Sequence, residues 1–161
     1  MIFPVGFLFK FIFSVIINIM KDKINFEQLN GLDLAYYGDA VYEVYIRQHL
    51  LAKGITKPAR LQRESKNYVS AKAHAALFAL MEADELLTET EMTYFKRGRN
   101  ANSHTKAKNT DVVTYRISTG FEALIGYLAA SEQTARLEEL IVWVYEQVES
   151  GRTRTNGTTN K

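Results

Sequence analysis

Two long segments of this chain carry almost no charge, and they constrain its fold more than any other feature. Leu34–Ile46 contains only Asp39 and Glu43 as charged residues, and Ile117–Ser131 contains only Glu122. Segments that are apolar on nearly all sides and too long for ordinary strands are expected to be buried helices. The sequence therefore predicts two helices at the centre of the molecule.

The remaining pattern is also helical, because no sustained alternation of apolar and polar residues begins after Asn25. Two prolines and nine glycines in 161 residues argue against a loop-rich β fold. The absence of cysteine excludes a disulfide framework and any zinc site built on cysteine. We predict an all-α fold whose helix boundaries are marked by Asn30 with Asp33, Gly54, Pro58, a break near Ser70, Thr88 with Glu91, Asn109 or Thr110, and Ser131.

The first 19 residues differ from the rest, since 14 of them are apolar and Lys10 is their only charge. A secretory signal is disfavoured, because Lys10 interrupts the apolar core and no small-residue cleavage pattern follows. A membrane anchor needs about 20 apolar residues, so residues 2–19 are borderline. The favoured interpretation is that Met20 is the true start, and the anchor remains open beside it.

The isolated acids are the first candidates for chemistry. A buried carboxylate is costly unless it is paired, protonated or bound to a cation. Gly38 lies beside Asp39 and Gly126 lies near Glu122, and small residues let helix backbones approach closely. If the two helices cross there, Asp39 and Glu122 form one oxygen-ligand site that suits Mg²⁺ or Mn²⁺. The alternative, more common for composition alone, is that each acid pairs with a core side chain.

A basic segment is the second candidate. Met92–Thr110 contains five Lys and Arg residues and no Asp or Glu. We predict a helix that ends near Lys96, followed by a loop over residues 97–108 whose cations attract an RNA backbone. The alternative is that the basic segment is a solvated surface with no binding role. By contrast, His74 lies in a run of small apolar residues and is predicted to be packing rather than catalytic.

Residues 37–41 (YGDAV) and 121–126 (FEALIG) are two motifs that together resemble the ribonuclease III catalytic domain. The family carries L-G-D-A-V on one helix and E-A-L-I-G on another, and here they correspond to Tyr37–Val41 and Phe121–Gly126. Both occur in the family's order, about 80 residues apart, with the basic segment between them. Within that family the chain more closely resembles the short Mini-ribonuclease III branch, which lacks a separate RNA-binding domain. We therefore expect a catalytic domain over residues 20–149, between the apolar extension 1–19 and a disordered polar tail over 150–161.

The resemblance implies an endonuclease that hydrolyses double-stranded RNA and matures the ends of precursor 23S ribosomal RNA in the cytoplasm. It implies a homodimer, with a ribosomal protein or pre-ribosome as a further partner. Asp39 and Glu122 would be the catalytic residues and would hold Mg²⁺, with Mn²⁺ as a substitute. The RNA-binding candidates are Lys72, Lys96, Arg97, Arg99, Asn100, Lys106 and Lys108.

Two departures from the larger enzymes keep other functions open. Those enzymes place a Glu four residues before the signature Asp and an Asp three residues before the later Glu. Here these positions are Ala35 and Thr119, which leaves the number of bound metals open. One rival is a non-catalytic RNA-binding or ribosome-assembly module on the same fold. The other is a membrane-anchored helical adaptor, which depends on residues 1–19.

Overall fold

A computed structural model describes residues 25–102 and 110–154 of the chain. Within these ranges the protein forms helices and no strand, so the predicted all-α fold is confirmed. In chain order the helices are α1 (Gly31–Ala52), α2 (Pro58–Val69), α3 (Ala71–Ala83), α4 (Glu89–Arg99), α5 (Val112–Ala130) and α6 (Thr134–Glu149).

Local capping signals set several helix starts where they were predicted. The Asn30 side chain accepts hydrogen bonds from the first turn of α1, and the Asp33 carboxylate accepts from the Asn30 backbone. Thr88 and Glu91 form the same reciprocal arrangement at the start of α4. Ser70 separates α2 from α3 and caps α3 by accepting a hydrogen bond from the backbone of Ala73. Each signal acts within a few residues, which is why the sequence reveals it.

Other boundaries differ from the prediction. The helix α4 continues through Arg99 instead of ending near Lys96, because its last turn packs on α5: a Cβ on Gly98 would lie 2.7 Å from the Thr119 carbonyl oxygen. Asp111, rather than residue 109 or 110, caps α5 by accepting a bond from the Thr114 backbone at 2.9 Å. Ser131 does not open α6, since its hydroxyl donates to Tyr127 at the end of α5.

The helices α1 and α5 form the centre of the fold and cross in backbone contact. A Cβ on Gly38 would lie 2.5 Å from the backbone nitrogen of Gly126. A Cβ on Gly126 would lie 2.8 Å from the carbonyl carbon of Leu34. Neither position has room for a side chain, so the two glycines set the distance between the helices.

Burial of the two apolar segments is unequal. Nearly every residue of α5 from Ser118 to Ala130 is buried, as predicted. In α1, however, Tyr36, Asp39 and Val44 are exposed, so this helix is not buried on all sides. The helix packs one side against α5 and presents another face to solvent, which corrects the prediction for the first segment.

Two ion pairs connect distant parts of the fold. The carboxylate of Glu91, nearly fully buried, accepts bonds from Arg136 of α6 at 2.8 and 3.1 Å. Near the carboxyl end, both terminal nitrogens of Arg152 donate to Asp84 at 3.1 Å. Of the predicted disordered tail over residues 150–161, the structure describes residues 150–154, and residues 155–161 lie outside the described part of the chain.

The interpretations of residues 1–19 also concern residues that the structure does not describe. Among the helices that it does describe, none combines the length and the apolar character needed to span a bilayer.

Candidate active site at the crossing of α1 and α5

The helix crossing brings Asp39 and Glu122 to one place on the molecule. Gly38 precedes Asp39 and lies against the backbone of Glu122, whose carbonyl carbon would be 2.9 Å from a Cβ at position 38. The negative charge of Asp39 is felt at Glu122, where it helps to raise the pKa of that carboxyl. The charge of Asp39 therefore acts on an acid that is distant in sequence.

The two carboxyl groups differ in their surroundings. The Glu122 side chain is 22% exposed, and burial together with the charge of Asp39 raises its pKa to about 8. Asp39 is exposed, and its pKa is raised by partial desolvation and by Glu43, while Arg47 opposes the shift. Glu43 itself forms an ion pair with Arg47, one turn along α1. Glu122 is thus a recessed acid and Asp39 an accessible one.

This pair of carboxyls fits a divalent cation. Their oxygens are hard ligands, and a cation between them would offset the repulsion and desolvation that disfavour the ionised form of Glu122. No group of three or more His, Asp or Glu side chains suited to a metal ion occurs in residues 25–102 and 110–154. A two-carboxylate set suits Mg²⁺, which commonly retains waters and completes its shell with substrate phosphates.

The two positions at which the larger ribonuclease III enzymes carry further carboxylates are buried beside the site. Ala35 is 5% exposed and Thr119 is 8% exposed. The Thr119 hydroxyl donates to the backbone oxygen of Tyr115 at 3.2 Å, so it serves its own helix. Only Asp39 and Glu122 of the four family positions present a carboxylate here.

His74 also belongs to the surroundings of Glu122, and the sequence interpretation missed this. The ring is fully buried and packs against Phe121 and Tyr42, as a packing residue would. Its Nδ1 nevertheless lies 2.9 Å from Ser118 Oγ and 3.6 Å from Glu122 Oε1. Burial lowers the pKa of His74 to about 3, so the ring is neutral and the approach to Glu122 is not an ion pair. The signal in the sequence that could have indicated this role was a polar residue inside a run of small apolar residues.

The described cations of the basic segment lie on or next to the last turn of α4 rather than in a loop. The Arg97 guanidinium lies 4.5 Å from the centre of the Tyr94 ring, and it donates to the Leu29 carbonyl oxygen at 3.4 Å. Arg99 Nε donates to the side chain of Asn100 at 3.1 Å. Lys96 is exposed on the same turn. Lys106 and Lys108 lie outside the described residues.

This turn of α4 is held close to the two helices that carry the carboxylates. A Cβ on Gly31 of α1 would lie 2.6 Å from the carbonyl carbon of Arg97. Gly98 packs with equal closeness against α5. The positions of these cations relative to the crossing are therefore set by helix packing.

Lys72 lies at a different place, in the first turn of α3. With Lys66 and Arg154 it lines an open basin of about 510 Å³ that also includes Thr114 of α5. Thr114 precedes Glu122 by two helical turns, or roughly 12 Å at 1.5 Å per residue. The basin is a second basic surface, which reaches α5 near the beginning of that helix.

Comparison with known proteins identifies the family. The model of the ribonuclease III domain matches residues 32–133. Mini-ribonuclease 3 of Streptococcus pneumoniae is 58% identical over 126 residues, which cover 78% of this chain and 98% of that protein. The chain belongs to the Mini-ribonuclease 3 family. The corresponding protein of Enterococcus faecalis is 58% identical over 124 residues, covering 77% of this chain and 94% of the relative.

A solved structure supports the fold assignment of this Mini-ribonuclease 3 family member. The crystal structure of a protein from Fusobacterium nucleatum superposes with a TM-score of 0.64 at 26% identity. The superposition covers 74% of this chain and 93% of the Fusobacterium nucleatum chain. The resemblance found in the sequence is thus confirmed, and the protein is an endoribonuclease of the ribonuclease III type, a family that depends on divalent metals. The matched region contains Asp39, His74 and Glu122.

Proposed function

We propose that this Mini-ribonuclease 3 family member cleaves double-stranded RNA at the crossing of α1 and α5, with Asp39 and Glu122 as its catalytic residues. The observation that supports the proposal is the backbone contact between Gly38 and Glu122, beside which the charge of Asp39 raises the pKa of Glu122. Burial and the charge of Asp39 raise the pKa of Glu122 to about 8, and strongly shifted pKa values cluster at functional sites.

The residues of the chain divide the work at the site. Asp39, which is exposed, presents its carboxylate toward the RNA, and the recessed Glu122 supplies the second ligand. The Ser118 hydroxyl donates to Glu122 Oε1 at 3.4 Å and so favours the ionised form. A bound Mg²⁺, or Mn²⁺ in its place, supplies Lewis acidity at the scissile phosphate and lowers the pKa of a water molecule. Water adds to phosphorus and the bond to the 3′ oxygen breaks, which leaves 5′-phosphate and 3′-hydroxyl ends.

Binding of the duplex is assigned to the cations around this crossing. Lys96, Arg97, Arg99 and Asn100 lie at the end of α4, and Lys72 lies in the basin beside α5. Lys106 and Lys108 remain part of the proposal from the sequence alone. Because side chains cannot read the deep major groove of A-form RNA, these residues contact phosphates and 2′-hydroxyls instead of bases.

The working form is proposed to be a homodimer in which each subunit cuts one strand. Each chain has one candidate site within the residues that the structure describes, whereas a duplex has two strands. Large apolar side chains are exposed on α1 and α6, including Tyr36 at 85%, Val44 at 54% and Val142 at 53%. Trp143, also on α6, is half-buried against the core and contributes less. Analytical ultracentrifugation at micromolar concentration tests this assembly.

We further propose precursor 23S ribosomal RNA, paired through its flanking sequences, as the cytoplasmic substrate, with a ribosomal protein or pre-ribosome presenting it. The domain over residues 20–149 is proposed to be sufficient for cleavage of a free duplex. Mapping of precursor 23S ends in cells that lack the protein should reveal retained extensions. Mature ends in those cells would contradict this assignment of substrate.

A cleavage assay with purified protein, Mg²⁺ and a long RNA duplex tests the reaction. Asp39→Asn and Glu122→Gln should each lower the rate by more than roughly 100-fold, since even outer partners of a metal contribute 10–100-fold. Glu82→Gln, which removes an exposed carboxylate near the end of α3, is the matched control and should leave the rate unchanged. An intact duplex with wild-type protein would favour the non-catalytic RNA-binding module.

A further inference from the structure

We infer that His74 is a positioning residue that holds the Glu122 carboxylate in place through the hydroxyl of Ser118. The inference rests on the proposed role of Glu122 as a metal ligand. His74 comes from α3, whereas Ser118 and Glu122 occupy successive turns of α5. The arrangement therefore connects the catalytic helix to a helix that carries no proposed ligand.

The contacts form a short chain that converges on one oxygen atom. His74 Nδ1 lies 2.9 Å from Ser118 Oγ, and Ser118 Oγ lies 3.4 Å from Glu122 Oε1. The same Nδ1 lies 3.6 Å from Oε1, too far for a direct hydrogen bond. The hydroxyl is thus the mediator between the imidazole and the carboxylate.

Hydrogen-bond accounting determines the direction of this chain. A serine hydroxyl has a single hydrogen, and an ionised carboxylate can only accept. When Ser118 donates to Glu122 it must accept from His74, so Nδ1 carries the ring hydrogen. The other nitrogen, Nε2, is buried and has no partner among the described residues. With the ring hydrogen on Nδ1, Nε2 carries no hydrogen that would need an acceptor. A neutral imidazole with its hydrogen on Nδ1 satisfies every contact of the chain.

The surroundings of the ring prevent it from turning away. Phe121 stacks on it at 4.5 Å with an interplanar angle of 22°, and Tyr42 meets it edge-on at 5.3 Å. Tyr42 is itself fixed by a hydrogen bond from its hydroxyl to the Tyr68 carbonyl oxygen at 3.2 Å. The donor at Nδ1 is therefore held in a constant position relative to α5.

A site with two protein carboxylates depends strongly on the orientation of each one. Partners behind a metal ligand typically contribute 10–100-fold to affinity or activity because they orient that ligand. Glu122 Oε1 is held by the Ser118 hydroxyl, which His74 in turn orients. His74 and Ser118 therefore supply part of the rigidity that additional metal ligands would otherwise give to the site.

An isosteric pair of variants separates positioning from packing. Asn and Leu have the same branched shape, and Asn places an N–H group where His74 carries Nδ1, whereas Leu places a methyl group there. Calorimetric titration with Mn²⁺ in the absence of RNA measures the site without turnover. His74→Leu should weaken Mn²⁺ binding by roughly 10–100-fold. His74→Asn should stay within about threefold of wild type, since it restores the donor. In the cleavage assay His74→Leu should lower kcat and leave KM for the duplex unchanged.

Equal Mn²⁺ affinity of the Asn and Leu variants would overturn the inference and reduce His74 to a packing residue. If His74→Leu fails to fold, Ser118→Ala carries the test, because it removes only the mediating hydroxyl. Ser118→Ala should weaken Mn²⁺ binding as His74→Leu does, and normal affinity would overturn the inference. The proposed function fails separately if wild type binds no Mn²⁺ or if Glu122→Gln cleaves normally, and the inference then falls with it.

Discussion

Replacing Gly38 with Ala tests whether the backbone contact between α1 and α5 determines both stability and the site. The added methyl group would meet the backbone nitrogen of Gly126 at 2.5 Å and the carbonyl carbon of Glu122 at 2.9 Å. These atoms belong to the helix backbone and cannot rotate away as a side chain can. The helices must therefore separate, and Asp39 must move away from Glu122.

The size of the effect follows from two opposing contributions. Ala is favoured over Gly inside a helix by about 1 kcal/mol. Overpacking a core by one or a few methylene groups typically costs 1–3 kcal/mol when side chains can adjust. Because backbone atoms oppose this methyl group, we take the upper end and expect a net loss of about 2 kcal/mol. For a domain of this size, the corresponding fall in Tm is roughly 5–8 °C.

Urea unfolding at 25 °C measures the change, and Ala79→Gly inside α3 is the control. Ala79 is exposed, so this variant reports helix propensity alone and should lose about 1 kcal/mol. Mn²⁺ titration of Gly38→Ala should show weaker binding than wild type, since the carboxylates are separated. A Gly38→Ala protein as stable as wild type, with unchanged Mn²⁺ affinity, would refute the reasoning about the crossing.

Two further predictions concern charge. The folded-state pKa of Glu122, about 8, lies above its ordinary value of 4.5, so the folded protein keeps a proton that the unfolded chain releases between these pH values. Stability of the metal-free protein should therefore fall as pH rises through this window, by at most about 5 kcal/mol. Partial exposure reduces the expected fall to roughly 2–3 kcal/mol. Glu122→Gln should abolish that fall, and parallel stability curves for the two proteins between pH 5 and 9 would contradict the prediction. For RNA binding, Arg97→Ala with Arg99→Ala should reduce the slope of log K against log salt by about 2. Arg60→Ala with Arg63→Ala, on α2, should leave the slope unchanged, and equal slopes for the two double variants would remove α4 from the binding surface.

Much of the fold was predictable because its signals are local. The caps at Asn30 and Thr88 and the break at Ser70 act on backbone groups within three residues, so the sequence contains all that they need. The glycines beside the two isolated acids also predicted a close helix crossing, since a glycine inside a helix is unfavourable unless something approaches it. The comparisons with relatives confirm the family that these motifs indicated.

The sequence by itself determined the helical class, most helix starts and the two candidate carboxylates. Tertiary packing alone decided that Asp39 is exposed while Glu122 is recessed, because burial depends on which helices cover each face. It also extended α4 through Arg99, where contact with α5 outweighs the polar character of that turn. The hydrogen bond between His74 and Ser118 joins residues 44 positions apart, and no local pattern encodes such a pairing.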